Sequence, residues 1–383
     1  VKRIYLDGNS LGPPQGDVLG RIARFVADEW DGQLIGAWNT RGWWDAPITV
    51  GERIAPLIGA AAGQTVVGES TTIWLYKLLS AAMHLRPGRL EIVTETGQFP
   101  TDRHVIDSVA RQFGASVRAV PSEEAAAAVS EQTAVVSLCH VDYRGGRRHD
   151  MRAVTAAVHE AGAVMLWDLS HSTGAMDLQL DECNVDLAVG CTYKYLNGGP
   201  GSPAFAYVAD RHVEVIEQPV SGWVGHADPF SMDEYHRPAP SIRKMLSGTP
   251  PVIALAVLDH ALDAFDGVDM AVLRSHSTAL TERFIERADA RLRQHGFIVA
   301  TPRAPAGRGS HVSLAHDEAY AIVQAAISVG VVGDFREPNL CRFGFAPLYL
   351  TIADVEEAVD RLEQLMVDGT YERHEFQVRA AVT

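Results

Sequence analysis

A single lysine, Lys194, sits between two tyrosines in "VGCTYKYLNGGPGSPAF" (Val189 to Phe205), straight after the apolar run "VDLAVG" (Val185 to Gly190). Three glycines and two prolines follow within Gly198 to Pro203. Most lysines are solvated surface groups. One that ends a hydrophobic run between aromatic rings is placed for other chemistry. A partly apolar pocket favours the neutral amine, and a neutral amine condenses with an aldehyde to a Schiff base. The glycine-proline turn is then expected to let backbone pass close beside a ligand.

Other residues fit the same chemistry. Asp168 and His171 stand in "WDLSHSTGA". Asp168 is either a turn cap or the carboxylate that keeps a pyridinium nitrogen protonated, so that pyridoxal phosphate serves as an electron sink. His171 is either a satisfied turn histidine or the group that orients Asp168. In "GESTTIWLYKLLSAAMHL", Ser70, Thr71 and Thr72 open a helix that runs to about Leu85. Hydroxyls and free N–H groups there form an anion site, although Ser and Thr at a helix start are commonly only caps. Phe99 in "QFPTD" is a ring-stacking candidate or a core aromatic. Arg342, within the apolar "NLCRFGFAPLYLT", is costly unless paired. It is either a structural ion pair or a fork for a substrate carboxylate.

The elements that must position these groups read as α/β. "LEIVTE", "SVRAV", "TAVVSL" and "AVMLWD" are strand-like, and helices are expected over Thr101 to Gly114, over the Ala/Glu segment after "SVRAV", and over Asp150 to Gly162. Strands separated by helices of about 10–15 residues imply crossover units and a mainly parallel sheet. Ligands bind such sheets at the carboxyl ends of the strands, which is where "TGQFPTD", "CHVDYRGG", "DLSHSTGA" and "CTYKY" fall. The C-terminal part reads differently. A long amphipathic helix from Asp269 to Gly296 leads into "FIVATP" and "SHVSLAH", a helix from Asp317, the strand-like "CRFGFAP", and a last helix whose Thr351 and Asp354 match a capping box. The expected division is residues 1–35 as an N-terminal segment packing with the small domain, 36–265 as the large cofactor domain and 266–383 as a smaller α+β domain.

The 383 residues carry a net charge of -15, which disfavours nucleic acid and anionic membranes as partners. No apolar run approaches the ~18 residues of a membrane span. Cys139, Cys183, Cys191 and Cys341 lack metal-site or dithiol spacing, so no metal is expected. With no signal peptide they fit a reduced cytoplasm.

The ordered set "YLDGNSLGPP", "FPTD", "WDLSHSTGA", "GCTYKYLNGGPGSPAF", "GWVGHADPF", "LSGTPPV" and "RFGFAPLYLT" resembles kynureninase, a family of fold-type-I enzymes that use pyridoxal phosphate. The resemblance runs from Tyr5 to about Leu365. It implies that Lys194 carries the covalent link to the cofactor, that Asp168 pairs with the pyridine nitrogen with His171 beside it, and that Tyr193 contacts the phosphate and relays a proton. Thr71, Thr72, Phe99, Thr101 and Asp102 match cofactor positions. Trp223 and Thr249 match phosphate-side positions that the family supplies across a homodimer interface. Arg342 and Ser10 match substrate positions.

The implied reaction is hydrolysis of L-kynurenine, or of a ring-substituted form such as 3-hydroxykynurenine, to an anthranilate and L-alanine, within tryptophan catabolism. The chain departs from the family's common pattern at Cys139, Asp142, Trp74, Ser170 and Thr173, on loops expected to face cofactor or substrate, which leaves the ring substituents open. Rival readings are a transaminase or desulfurase on the same scaffold, and a non-catalytic protein that binds pyridoxal phosphate.

Overall fold

In the computed structural model residues 2–379 are described. Residue 1 of the expected N-terminal segment and residues 380–383 of the expected C-terminal domain lie outside the described residues. After a two-residue strand, β1 (Ile4–Tyr5), seven strands build one sheet: β2 (Thr65–Gly68), β3 (Glu91–Glu95), β4 (Ser116–Val120), β5 (Thr133–Cys139), β6 (Val164–Asp168), β7 (Leu187–Gly190) and β8 (Ala204–Val208). Their order is β2-β8-β7-β6-β5-β3-β4. Neighbours from β4 through β7 pair in parallel, whereas β8 pairs antiparallel with β7 and β2 antiparallel with β8.

Alternation along a strand sends successive side chains to opposite faces. On β6, Met165 and Trp167 join one core cluster, with Met151, Val158, Leu255 and Leu258, while Val164 and Leu166 join another, with Leu75, Leu78, Ile106 and Val109. Helices thus cover both faces, which is why the inner strands are apolar throughout. Three of these helices are punctuated as their sequences imply. Ser70 caps the helix Thr71–Leu85, Pro100 opens the helix that ends at Gly114 in the left-handed conformation, and the Asp150 side chain accepts from the Ala153 N–H ahead of Met151–Glu160.

The segment between β4 and β5 differs from expectation. In place of an α-helix it forms a single 3-10 turn, Ser122–Glu124. β4 and β5 are the two neighbours of β3, so this connection crosses only one strand. Ala125 and Ala128 of this segment are buried in the first core cluster from turns rather than from a helix face.

A second sheet holds β9 (Ile298–Val299), β10 (His311–Ala315), β12 (Asp334–Arg336) and β13 (Leu340–Gly344) in the antiparallel order β12-β13-β10-β9, while β11 (Val331–Val332) pairs in parallel with β1. The helices Met270–Arg291 and Ile352–Val367 pack together over it through Leu280, Phe284, Val355 and Leu362. The Thr351–Asp354 capping box is present. Asp7 bridges to Gly344 of β13, so the chain's first turn lies against the second sheet, whereas the helix Val18–Arg24 packs on the helix Val252–Leu262 of the first. Among the described residues no helix is long and apolar enough to cross a membrane.

Candidate active site

The chain leaves β7 at Gly190 and must reverse to enter antiparallel β8. The turn between them presents Lys194. It is closed by Asn197 N–H donating to the Lys194 carbonyl at 2.9 Å and by Thr192 Oγ1 donating to the Pro203 carbonyl at 2.7 Å. Asn197, Gly199 and Gly201 all take positive φ. The Gly12 N–H donates to the Tyr193 carbonyl at 2.7 Å, clamping the N-terminal loop onto the lysine segment. The glycine-proline turn does not face the lysine's own pocket, contrary to expectation. Gly198, Gly199, Pro200 and Ser202 line a separate, mainly apolar groove of about 710 Å³ with Leu11, Val18 and Val257. The turn's geometry serves the reversal into β8.

Lys194 and Tyr193 open into a cavity of about 160 Å³ that gathers the strand ends. Asp168, Ser170 and His171 enter it after β6, Cys139 and Tyr143 after β5, Phe99, Thr101 and Asp102 after β3, and Thr71 and Thr72 from the helix start after β2. The predicted positions Lys194, Tyr193, Asp168, His171, Asp102, Thr101, Phe99, Thr71 and Thr72 therefore meet in one place. Trp223 and Thr249 lie elsewhere on the same chain. Trp223 is 42% exposed and packs against Trp44 and Phe230 beside another cavity, and Thr249 is exposed.

At the inner end, Asp168 and Asp102 are both buried. The Cys139 thiol donates to Asp102 Oδ2 at 3.7 Å and to Asp168 Oδ2 at 3.9 Å, and the Ser170 N–H donates to Asp168 Oδ1 at 2.7 Å. Burial first, and then the Asp168 carboxylate, push Asp102 well above the usual carboxylate range, so Asp102 holds a proton. The same causes, in the same order, hold the Cys139 thiol up. The ligand atoms of Asp102, Cys139 and Asp168 lie within 4.8 Å of one another.

His171 does not orient Asp168. Its Nε2 lies 3.0 Å from Lys194 Nζ, and the backbone N–H of Ser170 holds Asp168 instead. Burial, then the Lys194 charge, lowers His171 well below its ordinary value, so its ring is neutral. The Tyr193 hydroxyl is held protonated, by Cys191 first and burial second. Phe99 is 41% exposed and meets the Tyr143 ring edge-on at 5.1 Å.

Arg342 lies on β13, 1% exposed, and is not part of the cavity lining. Its Nε donates to Asp334 Oδ1 at 2.8 Å and a terminal nitrogen bonds Asp334 Oδ2, while further N–H groups reach the Tyr143 carbonyl and Ser10 Oγ. Ser10 itself donates to Asp334 Oδ2 at 2.6 Å. Of the two readings left open by the sequence, an ion pair is therefore present. Arg336, donating to the same Asp334 oxygen at 2.7 Å, and Asp7 belong to this cluster and were missed. The tripeptide "DFR" in a three-residue strand carries too little pattern to stand out.

Of the five departures, only Cys139 and Ser170 line the cavity. The Asp142 side chain accepts from the Arg144 and Gly145 N–H groups in its own turn. Trp74 is fully buried and donates to the Gly68 and Ala204 carbonyls. Thr173 is buried against the Leu169 carbonyl.

The donor set suits a phosphorylated aldehyde on a pyridine ring. A lysine amine, a buried carboxylate and a helix start with two threonines share one cavity, and among the described residues the buried Nδ1 of His171 has no hydrogen-bond partner. The family model described as Kynureninase C-terminal domain matches residues 273–362. The chain is 47% identical over 387 residues to kynureninase of Pseudomonas fluorescens, covering 99% of this chain and 93% of that one. It is 43% identical, with the same coverage, to kynureninase of Burkholderia pseudomallei. Among solved structures, a C-DES mutant with glycine covalently linked to its PLP cofactor superposes with a TM-score of 0.82 at 15% identity, covering 94% of this chain and 96% of that one. That last likeness shows the fold.

Proposed function

The chain belongs to the kynureninase family, and we propose that it hydrolyses L-kynurenine, or a ring-substituted form such as 3-hydroxykynurenine, to the corresponding anthranilate and L-alanine by cleaving the Cβ–Cγ bond. The observation that carries this reading is Lys194 Nζ against a neutral His171, in one cavity with Asp168, in a chain of this relatedness.

Thr71, Thr72 and the free N–H groups of their helix start would hold the phosphate of pyridoxal phosphate. Asp168, kept single in charge by the proton on Asp102, would pair with the ring nitrogen, with Thr101 alongside, and Phe99 would supply a face for the ring. When bound, the cofactor supplies an aldehyde for the lysine and a ring that takes up electrons from the substrate's Cα. Lys194 would take the Cα proton at Nζ. His171 keeps that amine in place without adding a charge beside it. Tyr193, protonated, gives its Oη proton to the carbon that becomes the alanine methyl. Positioned proton transfers of this kind contribute about 10²–10⁴-fold each. The water consumed adds to the γ-carbonyl, and the aryl acid departs.

Arg342, with Ser10, receives the substrate carboxylate from the edge of the Asp334 pair. Trp223 and Thr249 act in a partner subunit's site, in a homodimer with its sites at the interface. We read residues 1–35 as an N-terminal segment whose first turn packs with the small domain while its helix reaches the large one, 36–265 as the cofactor domain and 266–383 as the small domain, in a cytoplasmic enzyme of tryptophan catabolism.

The test is a product assay on purified protein loaded with pyridoxal phosphate. Release of alanine and an anthranilate from kynurenine is expected. Sulfide release from cysteine, or amino transfer to an oxo acid, without kynurenine cleavage points to the rival reactions. Absence of all three together with retained cofactor points to a binding protein. A desulfurase reading has little chemical support. Cys341 is fully buried, and Cys139 is held as a thiol, whereas the nucleophile is the thiolate.

A further inference from the structure

Two histidines stand together behind Lys194. His171 touches the amine through Nε2 at 3.0 Å. Its ring centroid lies 5.3 Å from that of His311, with the planes at 57°. His311 comes from the other sheet, on β10, in register with Gly344. It is fully buried; the Asp142 carbonyl acts on its ring, but among the described residues neither of its nitrogens, nor His171 Nδ1, closes a direct hydrogen bond of ordinary geometry. His171 Nδ1 and one nitrogen of His311 are thus left without a partner in two neighbouring rings, where buried polar groups are ordinarily paired. Gly146, at φ +73°, lets the backbone pack close against His311, where a Cβ would press to 2.8 Å from the His311 carbonyl oxygen and 3.2 Å from its Nε2.

We propose that His311 is a positioning residue for Lys194, acting through His171: the two imidazoles share a hydrogen-bonded path, bridged by one water, that holds the His171 proton on Nδ1 and leaves Nε2 as an acceptor facing the amine. In a neutral imidazole one nitrogen donates and the other accepts, and the partner of one decides the state of the other. Both rings are neutral. Burial and then Lys194 lower His171, while burial and then Arg342 hold His311 at about 3, with Asp334 opposing and Lys194 adding to the fall. Arg342 and Arg336 also act on His171. Were the proton on His171 Nε2, it would bond the lone pair of Lys194, the pair that must attack an aldehyde or receive a Cα proton. With Nε2 as acceptor, Lys194 donates an N–H and its lone pair is free.

The inference rests on Lys194 being the reacting amine. The experiment compares wild type, His311→Phe and His311→Gln, each checked for folding by circular dichroism and thermal melting. Gln keeps one donor and one acceptor for the bridge. The first readout is the ¹⁵N shift of the His171 ring in the cofactor-free protein, which reports the tautomer without any reaction. Nδ1–H is expected in wild type and in His311→Gln, and a shift toward Nε2–H in His311→Phe. The second is kynurenine turnover against pH. For His311→Phe, kcat is expected to fall roughly tenfold to a hundredfold with KM little changed and with a displaced limb of the pH profile, and for His311→Gln to recover most of both. An unchanged His171 tautomer in His311→Phe overturns the proposal, as does an unchanged kcat and pH profile. Should His311→Phe not fold, His311→Asn, too short to bridge, takes its place with the same expectations. A wild type that shows the Nδ1–H tautomer but no kynurenine cleavage refutes the assigned reaction and leaves the histidine pair standing.

Discussion

Asp334 and Arg342 face each other in register across β12 and β13, and their side chains close a two-point ion pair buried at the junction of the N-terminal loop and the second sheet. The guanidinium is therefore aligned before any substrate arrives. Burial is the largest single influence and raises the carboxyl, but the charge and hydrogen bonds of Arg342, with Arg336 and Ser10, together outweigh it and Asp334 is held below the usual range. Arg342→Lys keeps the charge and loses the fork, including the bonds to Ser10 and to the Tyr143 carbonyl. Losing one charge-assisted hydrogen bond costs about 1.5–3 kcal/mol. The expected result is a KM for kynurenine raised roughly tenfold to a hundredfold, with kcat changed far less. Steady-state kinetics decide it, and an unaltered KM removes Arg342 from carboxylate binding.

Asp7 shares that junction without a countercharge of its own. Burial, then repulsion from Asp334, raise it to about 7, against an unfolded value of about 4. The raised carboxyl keeps its proton in the native state and loses it in the unfolded state between those limits. Its contribution is thus complete below about pH 4 and is lost as pH rises toward 7, by at most about 1.4 kcal/mol per pH unit. Asp7→Asn should flatten this slope and leave the protein more stable than wild type at pH 8. Urea midpoints from pH 4 to 8 measure it, and parallel curves for the two proteins would contradict the assignment.

Much of this was legible because the relevant patterns are local. The run into Lys194, the Ser70 cap and the Gly114 and Gly162 stops each report one strand or helix, and crossover topology then places strand ends together. What escaped reading is set by long-range pairing. Asp334 matters only because β12 lies beside β13, His311 only because β10 brings it behind His171, and Trp74 is core because β2 and β8 pair around it. Spacing also misled at His171. A position three residues after Asp168 suggested a partner for that carboxylate, but the ring turns to Lys194 and a backbone N–H serves Asp168.

The two carboxyls at the inner end of the cavity should respond differently to the same substitution. Asp102 is held protonated by burial and by Asp168, and an amide resembles a neutral acid in shape and hydrogen bonding. Asp102→Asn should retain cofactor and lose no more than roughly tenfold in kcat/KM, whereas Asp168→Asn removes the charge proposed to pair with the ring nitrogen and should lose at least about 10²-fold. A raised carboxyl destabilises the native state as pH climbs, so Asp102→Asn should also raise the apoprotein's melting temperature at pH 8. Equal losses for the two variants would mean that Asp102 works as an anion after all.

The clamp between the N-terminal loop and the lysine turn separates two kinds of glycine. A Cβ on Gly12 would fall inside the van der Waals radii of the Lys194 carbonyl oxygen and of the Asn197 side chain and backbone, whereas one on Gly201 would meet open space. Gly201→Ala therefore costs only its left-handed backbone, about 1–2 kcal/mol, with kcat/KM near wild type. Gly12→Ala must push the loop off Tyr193, at a cost of about 1–3 kcal/mol for overpacking. Because Ser10, which bonds both Asp334 and Arg342, rides on the same loop, KM should rise as well. Chemical denaturation alongside kinetics distinguishes them. A Gly12→Ala protein with lowered stability but unchanged KM would show that the clamp holds the fold without holding the carboxylate site.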